Sequence, residues 1–135
     1  MRGLASALLG VENEVTLLDM EASIEHLSRS TPQGAETLLV VVEPYYRALE
    51  TAGRIVPLAR DLGIPNLLAI ANKVRDAEDE RVIRDYCRSH QLELAAEIPY
   101  DEAVRDADRR GRALIDHAPE ADSVKAMRSL AAQFA

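Results

Sequence analysis

Thr37-Leu38-Leu39-Val40-Val41-Val42-Glu43 is an apolar run with no polar alternation, closed at each end by polar residues. A strand with one face in water alternates apolar and polar side chains, whereas a strand covered by helices on both faces does not. The run therefore predicts an interior strand of a parallel sheet. Working outward, comparable runs stand at Val15 to Asp19, Asn66 to Asn72 and Leu92 to Ile98, separated by longer helical patterns. That alternation predicts an α/β fold, three-layered, with a mostly parallel sheet of about four strands. The 135 residues read as one domain, residues 1–135, long enough to bury a single core.

The helical patterns have recognisable starts and stops. Tyr46 to Leu62 places Leu49, Ala52, Gly53, Val56, Ala59 and Arg60 at steps of three and four, with Ile55 and Leu58 widening the stripe. Gly63 then supplies a left-handed cap and Pro65 blocks continuation. Pro57 inside the pattern predicts a kink or a late start. Asp76 caps the next helix, whose stripe is Val82, Ile83, Tyr86, Cys87 and His90. Pro119 opens a last helix with Ala121, Val124, Met127, Leu130, Ala131 and Phe134 on one face. Gly3 to Val11 is apolar but shorter than the ~20 residues of a membrane span, so it reads as a surface or core helix.

Composition excludes several function classes. The formal charge of −7 and a pI near 5.0 argue against a nucleic-acid surface, because phosphate contacts need clustered Lys and Arg. Arg105, Arg109, Arg110 and Arg112 come nearest, and Asp106 and Asp108 dilute them into a mixed-charge helix face. Cys87 is the single cysteine, which rules out an internal disulfide and a Cys-x-Cys or Cys-x-x-Cys metal pair. A lone cysteine, with no span or export signal, fits the reducing cytoplasm. Its place one turn after Ile83 makes it a small buried apolar side chain rather than a reactive thiol. Glu25, His26 and His117 make a poor metal set, because neighbours in sequence do not share a helix face.

Three polar clusters close the apolar runs. Asp19 ends the first, where a carboxylate can hold Mg²⁺ directly or through water. Asn72-Lys73 ends the third, joining an amide that can read a purine edge to a Lys stem that can lie over the ring. Pro99-Tyr100-Asp101 ends the fourth, a turn stiffened by Pro that presents an aromatic ring and a helix-capping Asp. In a parallel sheet all three fall at the carboxyl rim, where open α/β folds bind ligands.

The string Asp19-Met20-Glu21-Ala22-Ser23-Ile24-Glu25-His26-Leu27 resembles the switch II segment of the CooC-type ATPases, in the MinD/ParA group of deviant P-loop ATPases. Val42-Glu43-Pro44 with Arg47 to Ala52 is similar to that family's next strand and helix. Asn72-Lys73 resembles its base-recognition motif, and Pro99-Tyr100-Asp101 its adenine-side loop. The resemblance implies an ATP-dependent factor that dimerises around nucleotide and helps load nickel into carbon monoxide dehydrogenase. It implies Asp19 as the Mg²⁺-side acid, Glu21 and Ser23 as switch residues, Asn72 and Lys73 at the base, and Pro99, Tyr100 and Asp101 at the adenine-side loop. No residue of this chain is assigned a catalytic role.

The departures from the family pattern matter as much. No Gly-x-x-x-x-Gly-Lys-Ser/Thr string occurs in the sequence, so the backbone cradle and lysines that neutralise a triphosphate are missing from it. Ser23 stands where the family has Gly, and its Cβ restricts the switch turn. The family's Cys-x-Cys motif is absent, so no nickel or zinc site of that kind is expected. The expectation is weak ATP·Mg²⁺ binding and negligible hydrolysis by these residues alone, with a second copy or a full-length ATPase as partner. The family arrangement would also leave an empty strand position between Val15 to Asp19 and Thr37 to Glu43. Either the two strands close on each other, another polypeptide fills the gap, or the chain is an unstable gene fragment. The rival class is a non-catalytic truncated paralogue that binds a complete ATPase. A receiver-like or flavodoxin-like domain fits the alternation but leaves Asn72-Lys73 and Pro99-Tyr100-Asp101 unexplained.

Overall fold

The computed structural model describes residues 15–20 and 35–134. The elements run β1 (Thr37–Val42), α1 (Tyr46–Asp61), β2 (Asn66–Val74), α2 (Ala77–Ser89), β3 (Glu93–Pro99), α3 (Glu102–Arg109), α4 (Leu114–His117) and α5 (Asp122–Ala131). The three strands form a parallel sheet in the order β1-β2-β3, with Thr37 opposite Asn66 and Val42 opposite Ala71. This is the parallel α/β sheet that the alternation of apolar runs and helical patterns predicts, but β1, expected as an interior strand, pairs only with β2 among the described residues, and its Val41 is 58% exposed.

Helices α1 and α2 cover one face. Val40 and Val42 of β1 and Ala69 and Ala71 of β2 form a buried cluster with Ala52, Ile55 and Val56 of α1 and Ile83 and Cys87 of α2. Helix α1 packs on β1, and α2 packs on β2 and β3. Ile70, pointing to the other face by the two-residue alternation, is also buried. Helix α5 packs against β3, and Gln133 beyond its end donates to the Ala95 carbonyl at 3.3 Å.

The local signals account for most boundaries. Gly63 adopts φ +76 and donates to the Arg60 carbonyl, while Ile64 donates to that of Ala59. These two bonds close a Schellman motif at the end of α1. Asp76 accepts from the amides of Glu78 and Asp79 and so opens α2. Pro57 neither delays nor ends α1: it sits inside the helix on the exposed side, where solvent can reach the Gly53 carbonyl it leaves without a donor.

Three expectations need correction. Val15 to Asp19, expected as a strand, is neither strand nor helix; Val15 and Leu17 are 72% and 82% exposed. The described sheet has three strands rather than about four, because β1 pairs with β2 and no ladder of the sheet includes the earlier segment. An apolar sequence is not a strand until a neighbour takes its backbone hydrogen bonds. Val15 to Asp19 and β1 therefore do not close on each other. Two helix faces also differ from expectation at single positions, while Ile83, Cys87 and Val124 are buried as expected. Val82 is 36% exposed, and α5 buries Ser123 and Val124 while Met127 is 41% exposed. The segments Gly3 to Val11 and Glu21 to Leu27 lie outside the described residues.

Candidate functional site at the carboxyl rim of the sheet

The exits of the three strands lie side by side because the ladders are parallel and in near register. The β1–β2 ladder ends at Val42 opposite Ala71, so Glu43 and Asn72 are the next residue on each strand. Asn72 also stands opposite Ile98 of β3, and Val74 opposite Pro99. Two steps along β2 thus match one along β3. Lys73 is the extra residue, a bulge, with φ +59 in the left-handed region. Past the strand the Tyr100 amide donates to the Val74 carbonyl at 2.8 Å, which holds Tyr100 beside the β2 exit.

The bulge redirects the Lys73 side chain toward β1. Its Nζ lies 2.7 Å from Glu43 Oε1, an ion pair across the rim. Glu43's hydrogen bond, and after it the Glu43 charge, raise the Lys73 pKa above its ordinary value. Tyr45 and Tyr100 add smaller effects of the same sign. Both tyrosines are about half exposed, at 46% and 44%. The Arg75 guanidinium sits 5.7 Å from the centroid of the Tyr45 ring, within cation–π range. Arg75 is held from its other side by Asp79, whose Oδ2 accepts from the Arg75 amide and Nε at 3.1 and 3.0 Å.

Asp101 is committed to the fold. Its Oδ1 accepts from the Ala103 amide and caps α3, while the Ser123 hydroxyl donates to its Oδ2 at 2.9 Å. The Ala103 amide first, and Ser123 second, hold its carboxyl below the ordinary carboxylate range. Asp101 thereby ties α3 to the start of α5 and fixes the loop carrying Tyr100, whose hydroxyl donates to Glu102 Oε1 at 3.0 Å.

Of the residues singled out in the sequence, the fold brings Asn72, Lys73, Pro99, Tyr100 and Asp101 to one rim. Asp19 is exposed in the segment outside the sheet, and Glu21 and Ser23 lie outside the described residues. Among the described residues no group of three or more His, Cys, Asp or Glu could hold a metal ion, and no helix is long and apolar enough to cross a membrane. What the rim offers chemically is an amide, two exposed phenol rings and two cations, Lys73 and Arg75, each paired with a carboxylate. Sequence reasoning missed Glu43 and Tyr45 as members of this group. The available signal was the placement of an acid one residue past β1, level with the polar end of β2.

The chain is 41% identical, over 119 residues, to the carbon monoxide dehydrogenase accessory protein CooC of Rhodospirillum rubrum; the match covers 88% of this chain and 44% of that protein. Over the matched residues the chain is CooC-like. A second relative, an uncharacterised ATP-binding protein of Methanocaldococcus jannaschii, is 42% identical over 113 residues, 83% of this chain and 44% of that one. The chain thus spans less than half the length of the curated relatives it matches. In fold it is similar to the MinD cell division protein of Aquifex aeolicus, with a TM-score of 0.67 and 20% identity over 78% of this chain and 46% of MinD. The chain therefore shares the α/β fold of this part of MinD. No family model matches the chain.

Proposed function

We propose that this chain forms the base-binding side of an ATP site in a CooC-like protein serving nickel insertion into carbon monoxide dehydrogenase. The observation that carries the proposal is the convergence of Asn72, Lys73 and Tyr100 on one rim of a parallel sheet, in a chain 41% identical to CooC. Asn72 reads the purine edge through its amide, and the Lys73 stem and the Tyr100 ring give the base its apolar faces. Pro99 and Asp101 shape the loop that presents Tyr100.

Asp19 is the acid proposed for the Mg²⁺ side. One exposed carboxylate suits an ion that keeps several waters and takes its remaining ligands from phosphate. Glu21 and Ser23 are proposed for the switch. The bound ion supplies charge neutralisation for the triphosphate; nickel is cargo and needs no resident site in these residues. Much of the stabilisation in phosphoryl transfer comes from the cradle of a phosphate loop, and no such string is present in the sequence. These residues alone therefore bind ATP weakly and turn it over negligibly.

The test is titration of the ¹⁵N-labelled chain with ATP·Mg²⁺, alongside a phosphate-release assay. Amide shifts at Asn72 to Val74 and at Tyr100 and Asp101, with a Kd of about a millimolar and no turnover, are expected. Robust hydrolysis, or shifts absent from this rim, would overturn the proposal.

A further inference from the structure

Lys73 occupies a backbone position that a side chain makes costly. At a bulge with φ +59 glycine sits without strain, whereas a Cβ crowds the neighbouring carbonyl. Bulge geometry alone gives no reason for a Lys there. The reason lies in where the side chain goes: its ammonium meets Glu43 Oε1 at 2.7 Å, on the exit of the adjacent strand.

Glu43 is itself well placed to act as an anchor. It follows the buried Val42, it precedes Pro44, and its carbonyl accepts from the Tyr45 amide at 2.7 Å in a tight turn. Its side chain is 28% exposed against 52% for Lys73, so the acid is the more fixed member of the pair. With the ammonium pinned there, the four-carbon Lys stem is laid from the β2 exit toward the β1 exit. Without Glu43 the same stem is a free, rotamer-rich chain that a ligand would have to order on binding.

We propose that Glu43 is a positioning residue for ligand binding at this rim: it holds the Lys73 stem in a preformed shelf on which a purine base lies. The inference rests on the assignment of the rim to nucleotide, and adds to it a residue that does not touch the base. Ordering one such side chain in advance corresponds to about 2- to 10-fold in Kd.

The experiment compares the full chain with Glu43→Gln, which keeps shape and removes charge. Two quantities are read: the order of the Lys73 side-chain methylenes by NMR without ligand, and the Kd for ATP·Mg²⁺ from the Asn72 and Tyr100 amide shifts. Thermal unfolding of both proteins shows whether the variant folds, and Glu43→Asp serves as a second variant that retains the charge. Expected are loss of Lys73 order in Glu43→Gln, a Kd raised about 2- to 10-fold at an unchanged melting temperature, and partial recovery of both in Glu43→Asp. Lys73 equally ordered in Glu43→Gln, or an unchanged Kd, would overturn the positioning role while leaving the nucleotide assignment standing. A wild-type chain whose rim amides do not respond to ATP would remove both, and is recognised before any variant is compared.

Discussion

Asp101 shows how one residue can serve a site by serving the fold. Its two carboxylate oxygens cap α3 and hold the hydroxyl of Ser123, which is 1% exposed. Replacement by Ala removes a cap worth about 1 kcal/mol and strands a buried hydroxyl at about 1–3 kcal/mol. Asp101→Ala should therefore lose about 2–4 kcal/mol of unfolding free energy in denaturant at pH 7. The pH dependence follows from the depressed carboxyl. A group whose folded pKa lies below its ordinary value contributes stability above that value and loses it as pH falls through the folded pKa. The difference between wild type and Asp101→Ala should thus be full at neutral pH and narrow as pH drops below 3.8. A difference independent of pH from 7 to 2 would show that the charge contributes nothing.

At the level of elements, the seam between α1 and α2 depends on one missing side chain. A Cβ at Gly53 would stand 3.1 Å from the Tyr86 hydroxyl and 3.7 Å from His90 Nε2. Tyr86 and His90 stack at 4.0 Å between centroids, and the Tyr86 hydroxyl is buried without a hydrogen-bond partner among the described residues. Burial accordingly raises the Tyr86 pKa. Gly53 costs α1 helix propensity and in return lets Tyr86 lie against it. Gly53→Leu should cost about 1–3 kcal/mol by overpacking this seam, with the loss visible as a lower urea midpoint at unchanged slope. The stripe of α2 was legible in the sequence for Ile83 and Cys87, whose spacing is helical and whose side chains are buried. Val82 was misjudged because an apolar side chain gives no sign of whether a second layer reaches it. Ser123 was missed for the opposite reason: a hydroxyl reads as surface until Asp101, 22 residues away, is seen to accept its hydrogen bond.

For the molecule as a whole, the sheet is open at both edges among the described residues. Strand β2 is paired on both edges, while β1 pairs only with β2 among the described residues. Val41 at that edge strand is 58% exposed. An apolar edge strand is a template for self-association, and an edge Lys is a common remedy. Val41→Lys should lower light scattering of the concentrated chain and leave its far-ultraviolet circular dichroism unchanged; undiminished scattering would locate any association elsewhere. The unbroken Thr37 to Glu43 run promised a strand flanked on both sides, and it is the strand, rather than its second neighbour, that the fold confirms.

The sequence by itself determined the α/β class, three of the four strands expected from it, the caps at Gly63 and Asp76, and the polar residues that end β2 and β3. These depend on local periodicity and backbone chemistry, which a few residues carry between them. Only the tertiary structure decided that Val15 to Asp19 is no strand of this sheet, that Lys73 is turned by a bulge onto Glu43, and that Asp101 is occupied by Ser123. Each of these depends on which distant segment supplies a hydrogen bond or a charge, and that is set by strand pairing and register.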